Sequence, residues 1–123
     1  MLFIDSSVWV AHLFESSMEA SSIVESENLL FTSLLSIFEI RKKLVKANCD
    51  IEMINNSINY IKEKSIIVTL EEDIINSAVN FSIKYNLGAL DALIYASTII
   101  IKAQLITADN DFRNLENVKI IKK

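Results

Sequence analysis

The acidic side chains that could act together in this sequence stand in four short, otherwise largely apolar stretches. They are Asp5, Glu39, Asp91 and the pair Asp109 and Asp111. Carboxylate oxygens are hard ligands, and several of them in one place select Mg²⁺ or Mn²⁺ over softer metals. Like charges held close together raise one another's pKa, so such a group calls for a cation. If the fold gathers these acids, we expect a divalent metal site.

The rest of the composition excludes several other kinds of site. Gly88 is the only glycine among 123 residues, whereas loops that cradle phosphates need several glycines. His12 and Cys49 are the only histidine and the only cysteine, too few for a structural zinc site or an internal disulfide. No serine stands in the Gly-x-Ser-x-Gly motif of serine hydrolases. Any metal ion must therefore be held by oxygen ligands.

The apolar periodicity predicts an α/β fold, because strand-like apolar runs alternate with segments of helical period. The predicted strands are Leu2–Ile4, Leu29–Phe31, Ile66–Leu70, Leu105–Thr107 and Val118–Ile121. Six helices are predicted, and three of them have capping residues: Ser6 or Ser7 for the first, Thr32 and Ser33 for the third, and Asp50 for the fourth. The second, fifth and sixth begin near Met18, at Glu71 and at Ala89. This order predicts a central parallel sheet of four to five strands flanked by helices on both faces. The length predicts a single domain, residues 1–123.

Such a fold would bring the acids to one edge of the sheet. Ligands of open parallel sheets bind at the carboxyl ends of the strands, where the strand order reverses. Asp5 ends the first strand, and Asp109 and Asp111 follow the fourth. Crossover helices run antiparallel to the strands, so Asp91 in the first turn of its helix and Glu39 in the second turn of its own lie at the same edge. The topology therefore predicts a cluster of acids.

Each acid also has a purely structural interpretation. Asp5 precedes a helix start, and Asp91 would complement the macrodipole of its helix. Glu39 stands four residues before Lys43, which is the spacing of an ordinary helical ion pair. Among these acids, the functional interpretation is strongest for Asp91, because it interrupts an apolar stretch where a carboxylate without a partner is costly.

Four motifs in series resemble those of the PIN-domain ribonucleases. They are Ile4–Trp9 (IDSSVW), Leu35–Ile40 (LSIFEI), Leu90–Ala96 (LDALIYA) and Leu105–Phe112 (LITADNDF). The likeness spans the whole chain and is greatest to the small VapC-type toxins of bacterial and archaeal toxin–antitoxin pairs. It implies a PIN-like domain and a metal-dependent endoribonuclease that uses one or two Mg²⁺ or Mn²⁺ ions.

The resemblance also assigns roles to individual residues. It places the family's catalytic, metal-binding acids at Asp5, Glu39, Asp91 and Asp109, with supporting roles for Thr107, Asp111 and Ser6. For Ser6, helix capping is an equally good interpretation. The resemblance further implies an RNA substrate, a homodimer, and a cognate antitoxin that covers the acidic groove.

The net charge of −4 is unusual for a protein that binds a polyanion. Residues 1–40 contain six acids and neither Lys nor Arg, so all 12 basic residues lie in 41–123. Four of them closely follow Glu39, namely Arg41, Lys42, Lys43 and Lys46. They either guide the RNA backbone toward the acids or form an ordinary solvated face. Arg113 either contacts phosphate or caps surface carbonyls.

The apolar and aromatic residues are assigned to the core. We expect Trp9, Phe14, Phe38, Tyr95 and Phe112 to pack inside rather than stack on bases. In the third helix the inward residues are predicted to be Leu34, Ile37, Phe38, Ile40, Leu44 and Val45. The longest uncharged apolar run, Ala92–Ile101, has ten residues, whereas a membrane span needs about twenty. We therefore expect a cytoplasmic protein with no membrane partner.

Other functions compete with the toxin. A stand-alone PIN-domain nuclease that processes RNA would carry the same acids, and a catalytically silent interaction module would only bind a cation or a basic peptide. A phosphoacceptor or phosphohydrolase domain also gathers acids around Mg²⁺. It is disfavoured, because Asp5 is followed by two serines instead of an Asp-x-Asp motif, and the third strand ends in Thr69–Glu71 without an acceptor Asp.

Overall fold

The computed structural model of the protein describes residues 1–122, and within them five short strands form one parallel sheet. The strands are β1 (Leu2–Ile4), β2 (Leu30–Ser33), β3 (Ile66–Val68), β4 (Gln104–Thr107) and β5 (Val118–Ile120). Their order in the sheet is β3-β2-β1-β4-β5, and every neighbouring pair is parallel. The order reverses between β1 and β4, so the predicted switch point is confirmed. The strand bounds agree with the sequence-based ones to within two residues.

Helices cover both faces of this sheet. Across the same part of the chain they are α1 (Ser6–Phe14), α2 (Met18–Val24), α3 (Leu34–Lys46), α4 (Ile51–Lys64), α5 (Glu72–Tyr85) and α6 (Ala89–Ile101), with a short 3₁₀ helix at Asn110–Phe112. None of these helices is long and apolar enough to cross a membrane.

The alternation of side chains along the central strands builds two cores. Ile4 of β1 and Ile106 of β4 point toward α1 to α4 and pack with residues such as Trp9. Phe3 and Leu105, one position earlier in each strand, point to the opposite face and pack against α5 and α6. Strands buried on both faces are continuous apolar runs, and the α/β prediction with helices on both faces is confirmed.

Side-chain caps fix the starts of α3 and α4 at the predicted places. The hydroxyl of Ser33 accepts the N–H of Leu35 at 3.1 Å at the start of α3, and Asp50 Oδ1 accepts the N–H of Met53 at 2.8 Å at the start of α4. The prediction that Ser6 or Ser7 caps α1 is wrong. Both lie inside α1, and Asp5 occupies the cap position while its carboxylate is bonded elsewhere.

The predicted inward face of α3 is too wide. Ile37, Ile40 and Leu44 are buried as expected, whereas Phe38 is 56% exposed. At about 100° per residue, Phe38 lies a quarter turn or more away from that buried line. Leu34 and Val45 share its side of the helix and are likewise exposed, as is Phe14 at the end of α1. For these four residues the core assignment is wrong, while Trp9, Tyr95 and Phe112 are buried.

Candidate active site

The candidate site begins where β1 ends. Ile4 pairs with Ile106 of β4 in register, and the next backbone N–H, that of Asp5, donates to the carbonyl of Ile106 at 3.0 Å. Asp5 therefore leaves the sheet directly beside the end of β4. Its side chain is only 5% exposed, which is unusual for a carboxylate without a charged partner.

Two hydroxyl groups hold the Asp5 carboxylate in place. The hydroxyls of Ser7 and Thr107 each donate to Asp5 Oδ2 at 2.8 Å. The same two oxygens accept backbone N–H groups beyond β4, Ser7 Oγ from Ala108 at 2.9 Å and Thr107 Oγ1 from Asp109 at 3.0 Å. The hydroxyls thus tie the carboxylate to the end of β4 and fix the backbone that carries Asp109.

Three further acids lie close together at this edge. Asp91, Asp109 and Asp111 each offer a carboxylate oxygen, and these three atoms lie within 4.8 Å of one another. Asp91 is in the first turn of α6. Asp109 precedes the 3₁₀ helix, and its Oδ1 accepts the N–H of Asp111 at 2.9 Å, so the turn itself holds the last two acids side by side.

Glu39 reaches the same region from α3. The hydroxyl of Ser6 donates to Glu39 Oε1 at 3.4 Å, across 33 residues of sequence. The pKa of Glu39 is raised to about 7, first by burial and then by the negative charges of Asp5 and Asp91. Glu39 is therefore an electrostatic neighbour of the other acids, and we call Asp5, Glu39, Asp91, Asp109 and Asp111 the acid cluster.

Burial and repulsion raise the pKa of two other members. Burial is the main cause of the raised pKa of Asp5, and its bonds to Thr107 and Ser7 act in the opposite direction. The pKa of Asp91 is raised to about 6, by burial first and then by Asp109 and Asp5. The acid cluster thus concentrates mutually repelling carboxylates at one edge, which a bound cation would relieve.

The donor set of the acid cluster fits a hard divalent cation. Carboxylate oxygens are the ligands that Mg²⁺ and Mn²⁺ prefer. Asp91, Asp109 and Asp111 are close enough for one ion to reach all three, while Asp5 and Glu39 are linked to them through charge. The roles of the individual acids stay predictions, since proximity alone does not assign them.

Sequence reasoning missed Ser7. Its hydroxyl bonds Asp5, Ala108 and, at 3.4 Å, Thr107. Ser6, the predicted supporting residue, bonds Glu39 through its hydroxyl and Asp5 through its backbone. A usable signal was present: a hydroxyl two residues after a buried acid can turn back to bond it.

The family model described as PIN domain matches residues 2–118, whereas no curated protein matches significantly. Among solved structures, a chain of a toxin–antitoxin complex from Klebsiella pneumoniae has a TM-score of 0.84 and 21% identity, with 100% of both chains covered.

Two other structures are similar. A chain of VapBC2 from Rickettsia felis, bound to a DNA fragment from the promoter, has a TM-score of 0.81 and 14% identity over 99% of this chain and 98% of that one. VapC20 of Mycobacterium tuberculosis, described as a toxin that cleaves the sarcin-ricin loop, has a TM-score of 0.77 and 15% identity, with 98% of each covered. At these identities the likeness shows the fold, and the family follows from the match over residues 2–118: the chain belongs to the PIN-domain family.

Proposed function

We propose that this protein is a metal-dependent endoribonuclease that hydrolyses RNA phosphodiester bonds, and that it is the toxin of a VapBC-type toxin–antitoxin pair. The observation that carries the proposal is the acid cluster. Its members come from four distant parts of the chain, and the sheet topology delivers them to one switch point. Buried, mutually repelling carboxylates weaken a fold unless they serve a ligand.

The residues that would hold Mg²⁺ or Mn²⁺, as one or two ions, are Asp5, Glu39, Asp91 and Asp109, with Asp111 beside them. A divalent ion so held supplies charge neutralisation at a phosphate and lowers the pKa of a bound water. The neighbouring hydroxyl groups would position these carboxylates. Ser7 and Thr107 hold the Asp5 carboxylate, and Ser6 holds that of Glu39.

Glu39 would either hold a second ion or orient the attacking water. Its Oε2 is not used in the bond to Ser6, which involves Oε1, and so is available for either role. Its pKa of about 7 belongs to the metal-free protein, because a bound cation would relieve the repulsion by Asp5 and Asp91.

The toxin assignment draws support from the solved structures. The Klebsiella structure is described as a toxin–antitoxin complex and the Rickettsia structure as VapBC2 on promoter DNA. The Mycobacterium protein is described as a toxin that cleaves the sarcin-ricin loop. We therefore propose a cognate antitoxin that covers the acid cluster, and a cytoplasmic location for both proteins. A gene next to this one, encoding about eighty residues with a DNA-binding start, is the expected partner; its absence favours a stand-alone RNA-processing nuclease.

We also propose a homodimer, as the resemblance implies. A row of exposed apolar side chains on α5, Ile75, Val79 and Ile83, is 45%, 54% and 79% exposed, and this is the surface to test first. Light scattering should give twice the monomer mass for the wild type and the monomer mass for Ile83→Lys. A wild type that stays monomeric at high concentration contradicts the dimer.

The decisive experiment on the activity is Asp91→Asn, assayed on a structured RNA with Mg²⁺ or Mn²⁺. Asparagine keeps the size of the side chain and removes its charge. We expect cleavage to fall at least about 100-fold, the upper end of what even the outer partners of metal ligands cost. The matched control is Glu63→Gln, a neutralised acid at the exposed end of α4, which should cleave normally.

Circular dichroism and a thermal shift with Mn²⁺ complete this test. Cleavage by folded Asp91→Asn at the wild-type rate contradicts the site assignment. Stabilisation of the wild type by Mn²⁺ without cleavage of any RNA points instead to a silent interaction module.

A further inference from the structure

The exposed aromatic residue on α3 has a regular set of neighbours. Phe38, Lys42 and Lys46 follow one another at intervals of four residues, so they lie along one side of the helix. Phe38 is 56% exposed, and both lysines are exposed. Phe38 shares this side of α3 with the exposed Leu34 and Val45, and a contiguous apolar patch with a polar rim is typical of a binding surface.

These residues line a groove that leads to the acid cluster. The groove has a volume of about 350 Å³, and we call it the α3 groove; its lining residues are Phe38, Glu39, Lys42, Lys43, Lys46 and Leu90. Glu39 belongs to the acid cluster, and Leu90 directly precedes Asp91 at the start of α6. One end of the groove is therefore continuous with the candidate active site, and the other ends in lysines.

We propose that the α3 groove binds the single-stranded stretch of RNA next to the bond that is cut, with a base stacked on Phe38 and its phosphates on Lys42 and Lys46. The proposal rests on the proposed nuclease function, because it places the substrate relative to the acid cluster. Grooves for single strands combine basic residues that follow the backbone with aromatic rings that stack on bases. The α3 groove has both features.

The dimensions suit a short stretch of nucleic acid. Glu39 and Lys46 are seven residues apart, which is about 10 Å along a helix axis. At a stacked rise of about 3.4 Å per nucleotide this corresponds to roughly three nucleotides. Stacking on Phe38 requires an unpaired base, since both faces of a base inside a duplex are already covered. The groove therefore selects unpaired RNA over duplex.

The charges that line the α3 groove favour RNA, a polyanion that continues to the acid cluster, over a protein partner that stays within the groove. Three lysines line the groove, whereas Glu39 at its active-site end is its only acid. Arg41 is turned away, since its guanidinium donates to Asn55 Oδ1 of α4 at 3.3 Å. An acidic peptide would also meet the lysines, and for this reason it is one arm of the test.

The test measures RNA binding in an Asp91→Asn background, so that cleavage does not interfere. Fluorescence anisotropy of a labelled 12-nucleotide single-stranded RNA gives the affinity as a function of salt. We expect Phe38→Ala to weaken binding about tenfold, within the range for one stacked base, and Phe38→Trp to restore it. The double change Lys42→Ala and Lys46→Ala should lower the salt slope by about 1.4, or ~0.7 per lost phosphate contact.

Matched controls separate the groove from general surface effects. Lys119→Ala on β5 removes an exposed lysine, and Met18→Ala on α2 trims an exposed apolar side chain; neither should change the affinity. A duplex of the same sequence should bind more weakly and should not respond to Phe38→Ala.

A labelled acidic peptide is measured in the same way as the RNA. Three results would overturn the proposal: unchanged RNA affinity in Phe38→Ala, an equal loss of RNA affinity in Lys119→Ala, or peptide binding that depends on Phe38, Lys42 and Lys46 while RNA binding does not. The nuclease proposal is judged separately, by whether protein with Asp91 intact cuts RNA. RNA binding that depends on Phe38, without any cleavage, would refute the nuclease proposal but support RNA binding in the α3 groove. Cleavage that does not depend on Phe38 would support the nuclease proposal and refute RNA binding in the groove.

Discussion

Neutralising Glu39 should make the metal-free protein more stable while impairing its activity. The carboxylate is half-buried, and burial, Asp5 and Asp91 raise its pKa from the usual 4.5 to about 7. The folded protein therefore keeps a proton on Glu39 at pH values where the unfolded chain has released it. Stability contributed by this group is fully present below pH 4.5 and falls as the pH rises toward 7.

The size of the effect follows from the pKa difference. At about 1.4 kcal/mol per pH unit, the change from 4.5 to about 7 corresponds to roughly 3 kcal/mol. Because Glu39 is partly exposed, solvent screening reduces this to about 1–2 kcal/mol. Glu39→Gln removes the charge but keeps the oxygen that accepts from Ser6. At pH 8 without metal, it should therefore raise the free energy of unfolding by about 1–2 kcal/mol.

Urea unfolding in EDTA at pH 8 and pH 4.5 measures the effect. With an m-value of about 1–3 kcal/mol per molar urea, the midpoint of Glu39→Gln should rise by roughly 1 M at pH 8 and change little at pH 4.5. Adding Mn²⁺ should stabilise the wild type more than the variant. The control is Glu27→Gln, an exposed acid between α2 and β2, which should behave alike at both pH values. Destabilisation of Glu39→Gln at pH 8, or an equal effect at both pH values, refutes the reasoning from repulsion.

Three further predictions concern single side chains. Ser7→Ala leaves the N–H of Ala108 without the bond it makes in the wild type and removes one of the two hydroxyl bonds to the Asp5 carboxylate. Thermal unfolding should show a loss of about 1–3 kcal/mol, with RNA cleavage reduced as well. An unchanged cleavage rate would exclude a positioning role. Thr107→Val keeps the shape of the side chain and removes the hydroxyl that donates to Asp5. It should raise the pKa of Asp5 further and weaken the binding of Mn²⁺, measured by calorimetry. A wild-type affinity for Mn²⁺ would contradict this. Lys102 follows α6 in a left-handed conformation, at φ 63°, which costs a residue with a side chain about 1 kcal/mol. Lys102→Gly should therefore raise the free energy of unfolding, measured in urea, by up to that amount. A lower free energy of unfolding would show that the lysine is needed for packing.

The sheet and its acidic edge were predictable because both follow from local pattern and general topology. β1 and β4 are short apolar runs that end at or near an acid, and parallel strands place their carboxyl ends at one edge. Asp5 and Asp109 thus had to meet once β1 and β4 were neighbours. Helix starts were equally accessible where a Ser or Asp stood free to cap, as at Ser33 and Asp50.

The sequence could not show which apolar residues of α3 are covered. Phe38 and Ile37 are adjacent and equally apolar, yet only Ile37 is buried, since coverage depends on where the neighbouring helices lie. The same limit applies to Ser6 and Ser7. Both are serines at the start of α1, and only the distance to β4 decides which hydroxyl bonds Asp5. Tertiary geometry thus decides which of two similar neighbouring residues is buried or bonded, where the local sequence pattern does not distinguish them.

Two opposite charge patterns adjoin each other in this protein, whose net charge is −4. The acid cluster is negative, whereas Lys42, Lys43 and Lys46 in the adjoining α3 groove are positive. On the proposed function, a phosphate strand would be attracted to the groove and repelled by the metal-free acid cluster. One or two divalent ions held by the cluster would offset part of its negative charge, and so would weaken this repulsion only where phosphate must arrive for hydrolysis. A net negative charge is therefore compatible with the proposed RNA substrate.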